Sequence, residues 1–111
     1  NLFVAGDNPE DMLLAVRRIK ELQGGFLTVR DGKILAELAL PVCGILSERG
    51  VKDTAIKLKG IRESLAGLGY RHSSPIMSLG TLGLPVSPAL KLTDRGLVDV
   101  KQSAVVPLIV E

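Results

Sequence analysis

Residues 26–40 read Phe-Leu-Thr-Val-Arg-Asp-Gly-Lys-Ile-Leu-Ala-Glu-Leu-Ala-Leu, and this stretch decides the fold class. Asp31-Gly32 stands between two runs rich in apolar and β-branched residues. A two-residue hairpin turn needs positive φ at both central positions, which Asp-Gly supplies at low cost. Residues 26–40 are therefore expected to form a β-hairpin. Pairing about the turn sets Val29 opposite Ile34 and Leu27 opposite Ala36, with Leu38 continuing that face. Thr28, Arg30, Lys33 and Glu37 fall on the other, partly wet face.

Working outward, the N-terminal side reads as a helix. Asn8 can cap, Pro9 suits the first helical position, and Glu10 and Asp11 complement the positive end of the helix dipole. Met12, Ala15, Val16, Ile19 and Leu22 recur at three- and four-residue spacing, which buries one face. Gly24-Gly25 stops the helix. Before it, Leu2–Ala5 reads as a short strand. On the C-terminal side, residues 51–68 read as a second helix with Val51, Ala55, Leu58, Ile61, Leu65 and Leu68 as its apolar stripe. Gly60 inside it marks a close packing point, and Gly67-x-Gly69 ends it.

Further on, residues 76–84 read as a buried strand bent at Gly80 or Gly83. Pro85-Val86-Ser87-Pro88 reads as an irregular extended turn, because each proline restrains itself and its predecessor. Ala104–Val110 reads as a last strand that lies at an edge or pairs poorly, because Pro107 lacks the ladder N–H. The order β-α-β-β-α-β plus a C-terminal strand implies an α+β, two-layer sandwich: a mostly antiparallel sheet with two helices on one face. The ferredoxin-like topology is the simplest such arrangement. Leu-x-Leu-Pro-Val occurs at Leu38–Val42 and again at Leu82–Val86, which is strand-end grammar rather than a duplication. No linker divides the chain, so residues 1–111 are expected to form a single domain.

Composition narrows the functional classes. The 111 residues are 46% hydrophobic and 23% charged, with net charge +2, as in a globular domain rather than a disordered one. Basic residues form no block, and Phe3, Phe26 and Tyr70 are the whole aromatic complement. Nucleic-acid binding, which wants both a basic track and stacking rings, is disfavoured. The longest apolar run, Leu38–Leu46, falls far short of the ~20 residues that span a bilayer. Hence no membrane association is expected. The single Cys43 fits a cytoplasmic setting. The chain starts at Asn1 rather than Met, so it is expected to be processed or cut from something longer.

Few residues offer chemistry. His72 is the single histidine, so neither a three-histidine zinc site nor a Ser-His-Asp triad can be assembled from one chain. In its polar loop it reads as a solvated histidine. Cys43, among apolar neighbours and with no base nearby in sequence, reads as a small buried hydrophobe. Asp94 and Asp99 flank Gly96 and read as turn-forming aspartates that bond their own backbone. No phosphate-binding glycine pattern occurs. Residue by residue, the sequence amounts to an α+β domain without an active site.

Several segments nevertheless resemble one family. Asn1-Leu2-Phe3-Val4-Ala5-Gly6 running into Asp7–Met12 is similar to the strand-to-helix opening of bacterial adenine deaminase C-terminal domains. So are Gln23-Gly24-Gly25 into Val29–Leu38, the segment Leu40–Ser47, and above all Pro75–Val100. The similarity covers nearly the whole chain, and the order and spacing of the segments carry it. Ile76 and Thr81 stand where that family often has aromatics, and Ser87 where an aliphatic residue is expected, so local packing there is expected to differ.

The resemblance implies the non-catalytic C-terminal portion of an enzyme that hydrolyses adenine to hypoxanthine and ammonia in purine salvage. Such enzymes are metal-dependent amidohydrolases, in which a divalent ion (manganese, iron or zinc) on a β/α barrel activates the attacking water. The barrel would lie upstream of Asn1. The implied partners are that barrel in the same polypeptide and further copies of it in a cytoplasmic homo-oligomer. No catalytic, cofactor-binding or metal residue of the family falls on this chain, which by resemblance is part of a hydrolase but alone carries no visible active site. The loops Pro85–Pro88 and Thr93–Gly96 are the expected contact surface, at the mouth of the substrate pocket. The competing expectation is a stand-alone module that binds a small molecule or drives oligomerisation.

Overall fold

Asn8 adopts an extended backbone and its side-chain oxygen accepts the Glu10 and Asp11 N–H groups, at 2.9 and 3.5 Å. That cap starts helix α1, Pro9–Leu22, with Pro9 at its first turn as expected. Gln23, rather than a glycine, takes the left-handed closing position, at φ 61°. Gly24 and Gly25 follow at φ 126° and 132°, a region that L side chains rarely enter. The computed structural model of the chain describes residues 2–109.

The hairpin is β1, Gly25–Arg30, and β2, Lys33–Ala39, antiparallel. Asp31 and Gly32 have φ 53° and 71°, the geometry the two-residue turn requires. Val29 lies opposite Ile34 as expected, but Leu27 lies opposite Glu37, not Ala36. Between Val29↔Ile34 and Thr28↔Ala36 the strand β2 carries one extra residue, Leu35, as a bulge. A one-residue slip exchanges the faces of everything beyond it. Thr28, expected on the wet face, is therefore buried, in line with Leu38.

Helix α2, Val51–Gly67, matches the expected span. Ile61 and Leu38 are each only 1% exposed, and burying such a side chain contributes ~1.5–3 kcal/mol. The stripe is narrower than its sequence pattern, since Val51 is 86% exposed. Gly60 is no packing point: a Cβ there would meet nothing within 4 Å. Thr28 reaches Ser64 of α2, whereas Glu37, one position away in the pleat alternation, reaches Arg18 of α1. The side chains that bond the two helices thus leave the hairpin from opposite faces.

The chain divides into two compact units, one spanning Val4–Arg71 and one taking His72 onward with the residues before Val4. The second unit holds α3, Pro75–Leu82, and a sheet ordered β3-β4-β5 with β3 Leu90–Thr93, β4 Gly96–Asp99 and β5 Ala104–Val106. Both sheet pairings are antiparallel. The α+β class holds, with three helices and two antiparallel sheets.

Three elements differ from expectation. Leu2–Ala5 pairs with no strand among the described residues, and Leu2 and Phe3 are exposed. Residues 75–82 are helical, not extended: Pro75 occupies the helix start, and the Ser78 and Thr81 hydroxyls donate to carbonyls three or four residues back. Proline is pre-set for that position, and a short apolar run alone cannot distinguish strand from helix. The C-terminal strand stops at Val106, before Pro107, and lies at the sheet edge as expected. Val110 lies outside the described residues.

Candidate functional site

The expected candidates scatter. His72 is exposed in the loop before α3. Cys43 is exposed too, in the turn closed by the Val42–Leu46 bridge, so it does not behave as the buried hydrophobe its neighbours implied. Its φ of 56° places it at a tight reversal, where the backbone leads the side chain outward. Among the described residues, no three His, Cys, Asp or Glu side chains gather where they could hold a metal ion. With a single exposed histidine, the donor set here does not fit the divalent ion of an amidohydrolase.

The carboxylates hold backbone and cations instead. Asp99 accepts the Lys101 and Gln102 N–H groups at 2.9 and 3.1 Å, and the Gln102 amide at 2.7 Å, which is the expected aspartate turn. In the β3–β4 turn it is Thr93, not Asp94, that does this: its hydroxyl donates to the Gly96 carbonyl and accepts the Arg95 N–H. Asp11 does more than favour a helix end. Its two oxygens accept the Asp31 and Gly32 N–H groups at 2.9 and 2.7 Å, fixing the hairpin turn to α1.

Arg18 clasps Glu37 through Nε and a terminal nitrogen at 2.9 and 3.0 Å, and also reaches Glu21 at 2.9 Å. The hydrogen bonds from Arg18 hold the Glu37 carboxyl below its ordinary range, against a smaller opposing effect of burial. The same bonds, to Glu37 first and then Glu21, raise the Arg18 guanidinium. This is a clamp of α1 onto β2 and presents no free acid or base.

An apolar groove opens on the surface. It lies in the second unit and is lined by Phe3, Leu82, Leu90, Leu92 and Leu97, with Lys91 alongside. Leu92, Leu97 and Val106 face one another across the three strands, so their side chains share one side of the sheet. Leu92 is 73% exposed and Leu90 54%. The alternation in Leu-Lys-Leu-Thr and Gly-Leu-Val-Asp carried the signal for this sheet. Of the expected contact loops, Val86 within Pro85–Pro88 is exposed, and Thr93–Gly96 is the tip of the β3–β4 hairpin. No helix among the described residues is long and apolar enough to cross a membrane.

The family model described as "Adenine deaminase C-terminal domain" matches residues 1–104. "Adenine deaminase 2" of Shouchella clausii is 51% identical over 99% of this chain and 19% of its own length. The "Adenine deaminase" of Oleidesulfovibrio alaskensis is 46% identical over 97% and 19%, and that of Staphylothermus marinus 46% identical over 98% and 18%. The chain spans about a fifth of the length of the curated relatives it matches. No solved structure matches it. With a family model over nearly its whole length and relatives near half identity, the chain belongs to the adenine deaminase C-terminal domain family.

Proposed function

We propose that these 111 residues act as one non-catalytic domain at the C-terminal end of a longer adenine deaminase. The carrying observation is the asymmetry of coverage: nearly all of this chain aligns with under a fifth of each relative. The parent polypeptide hydrolyses adenine to hypoxanthine and ammonia in purine salvage, in the cytoplasm and as an oligomer. Its divalent ion, manganese, iron or zinc, is held by residues outside this chain. The domain packs on the metal-bearing barrel or at a subunit interface, and its exposed apolar side chains support that role, because a surface so rich in them calls for a covering partner.

Two measurements test this. An antibody raised against the chain should detect, in source cells, a band several times larger than 11.8 kDa; a band at 11.8 kDa would overturn it in favour of a free-standing module. The longer polypeptide should release ammonia from adenine, and the 111-residue chain alone should not. Asp94→Ala and Pro85→Ala in the longer polypeptide should lower stability, oligomerisation or turnover. If all three are unchanged, those two loops are not contact surface.

A further inference from the structure

We propose that the groove beside β3 is the seat of an extended segment of the parent polypeptide that precedes residue 1, added as a strand to the free edge of β3. This rests on the reading above that the chain is the C-terminal part of a longer protein. Three observations carry it.

The first is the backbone. Among the described residues, β3 is the terminal strand of its sheet. Val100 donates its N–H to the Ala89 carbonyl at 3.0 Å, and Leu90 lies opposite Asp99, Lys91 opposite Val98 and Leu92 opposite Leu97. In an antiparallel pair, alternate residues turn their N–H and C=O inward and outward. Ala89, Lys91 and Thr93 therefore bond toward β4, while Leu90 and Leu92 present theirs to the open side. Such a row is a template for another strand.

The second is the side chains. The same Leu90 and Leu92 stand exposed over a groove walled by Phe3 and Leu82 and floored by Leu97. An added strand would satisfy the outward backbone groups and cover this apolar face together. A small apolar ligand would satisfy only the second need.

The third separates the occupants. A second copy pairing along the whole of β3 would set Leu90 against Leu92 and Lys91 against its own symmetry mate. Lysine would then face lysine at the close, non-hydrogen-bonded position, about 4.5 Å between Cα atoms, and like charges there are destabilising. Charged edge residues commonly block such self-pairing. By contrast, Phe3 lies in the groove wall, so polypeptide joined to the N-terminus begins within reach of the groove. Covalent attachment raises its effective concentration to the millimolar range for a short flexible connection.

Amide hydrogen exchange on the full-length polypeptide tests this, read over residues 88–93. The Leu90 and Leu92 amides should exchange at least ~100-fold slower than free-chain rates, because protection of outward-facing groups requires a docked strand. Leu92→Glu should abolish that protection and open the segment before residue 1 to protease, while Ile56→Glu, an exposed apolar site in the other unit, should leave both unchanged. Free-chain exchange at Leu90 and Leu92 would overturn the proposal. Protection that disappears on dilution would overturn it as well, assigning the edge to a second copy. Unprotected amides in a polypeptide that still deaminates adenine would sink the strand docking alone. A full-length polypeptide without deaminase activity would sink the functional reading instead.

Discussion

The hydroxyl oxygens of Thr28 and Ser64 lie 2.7 Å apart, joining β1 to α2 inside the first unit. Ser64 is also 2.9 Å from the Ile61 carbonyl, and Thr28 is 3.5 Å from that of Ala36. Both short bonds are made when Ser64 donates to Ile61 and Thr28 donates to Ser64. Thr28 is 5% exposed, so its hydroxyl depends on this partner.

Removing one partner of a buried hydrogen bond leaves the other unsatisfied, at a cost of ~1–3 kcal/mol. Ser64→Ala should therefore destabilise the chain by about that much in urea unfolding. Thr28→Val alone should cost less, since Ser64 keeps Ile61. The double variant should be more stable than the sum of the two losses implies. Strict additivity would show that the two hydroxyls do not interact.

Gly25 and Gly60 should respond oppositely to alanine. A Cβ on Gly25 would run into the Leu38 carbonyl, and its φ of 132° is strained for any side chain. Gly25→Ala should cost more than ~4 kcal/mol, the range reserved for a named steric or backbone fault. A Cβ on Gly60 meets nothing, and helix propensity there favours alanine by about 0.8–1 kcal/mol. Circular dichroism melts of the two variants should move in opposite directions.

Leu38→Ala removes one of the two most buried side chains. It should cost ~2–5 kcal/mol, from lost transfer energy and the cavity left behind. Leu13→Ala, on the exposed side of α1, should change stability by no more than ~0.5 kcal/mol. Chemical denaturation distinguishes them.

The Arg18–Glu37 clamp predicts an acid limb. Glu37 titrates below its ordinary range in the folded chain because Arg18 donates to it. A carboxyl with a lowered folded value binds fewer protons than the unfolded chain does, so its contribution is full above the ordinary carboxylate range. It fades as pH falls through the lowered folded value. Glu37→Gln should therefore destabilise at neutral pH, with the difference from the parent shrinking below about pH 4. A difference that stays constant down to pH 2 would rule the clamp out as its source.

The helices and the hairpin turn were legible because their signals are local. Asn8-Pro9, Gly24-Gly25 and Asp31-Gly32 each dictate a backbone conformation within a few residues. The Leu35 bulge was not legible, because a bulge is chosen by which face the helices cover, and that lies beyond the strand. α3 was misjudged because Pro75 admits either a helix start or an extended run, and the small apolar residues after it carry no clear period. The groove stayed hidden for a related reason. Leu90 and Leu92 look like core residues in sequence, and only the sheet order shows them on an edge strand.

The Asp11 carboxylate, bonded to the Asp31 and Gly32 amides, also bears on biosynthesis. It ties residues about twenty apart in sequence, a short loop to close. Once residues 11–40 have left the ribosome, both sides of this latch have been supplied. The helix and the hairpin can therefore assemble during translation, before α2 emerges to cover Thr28.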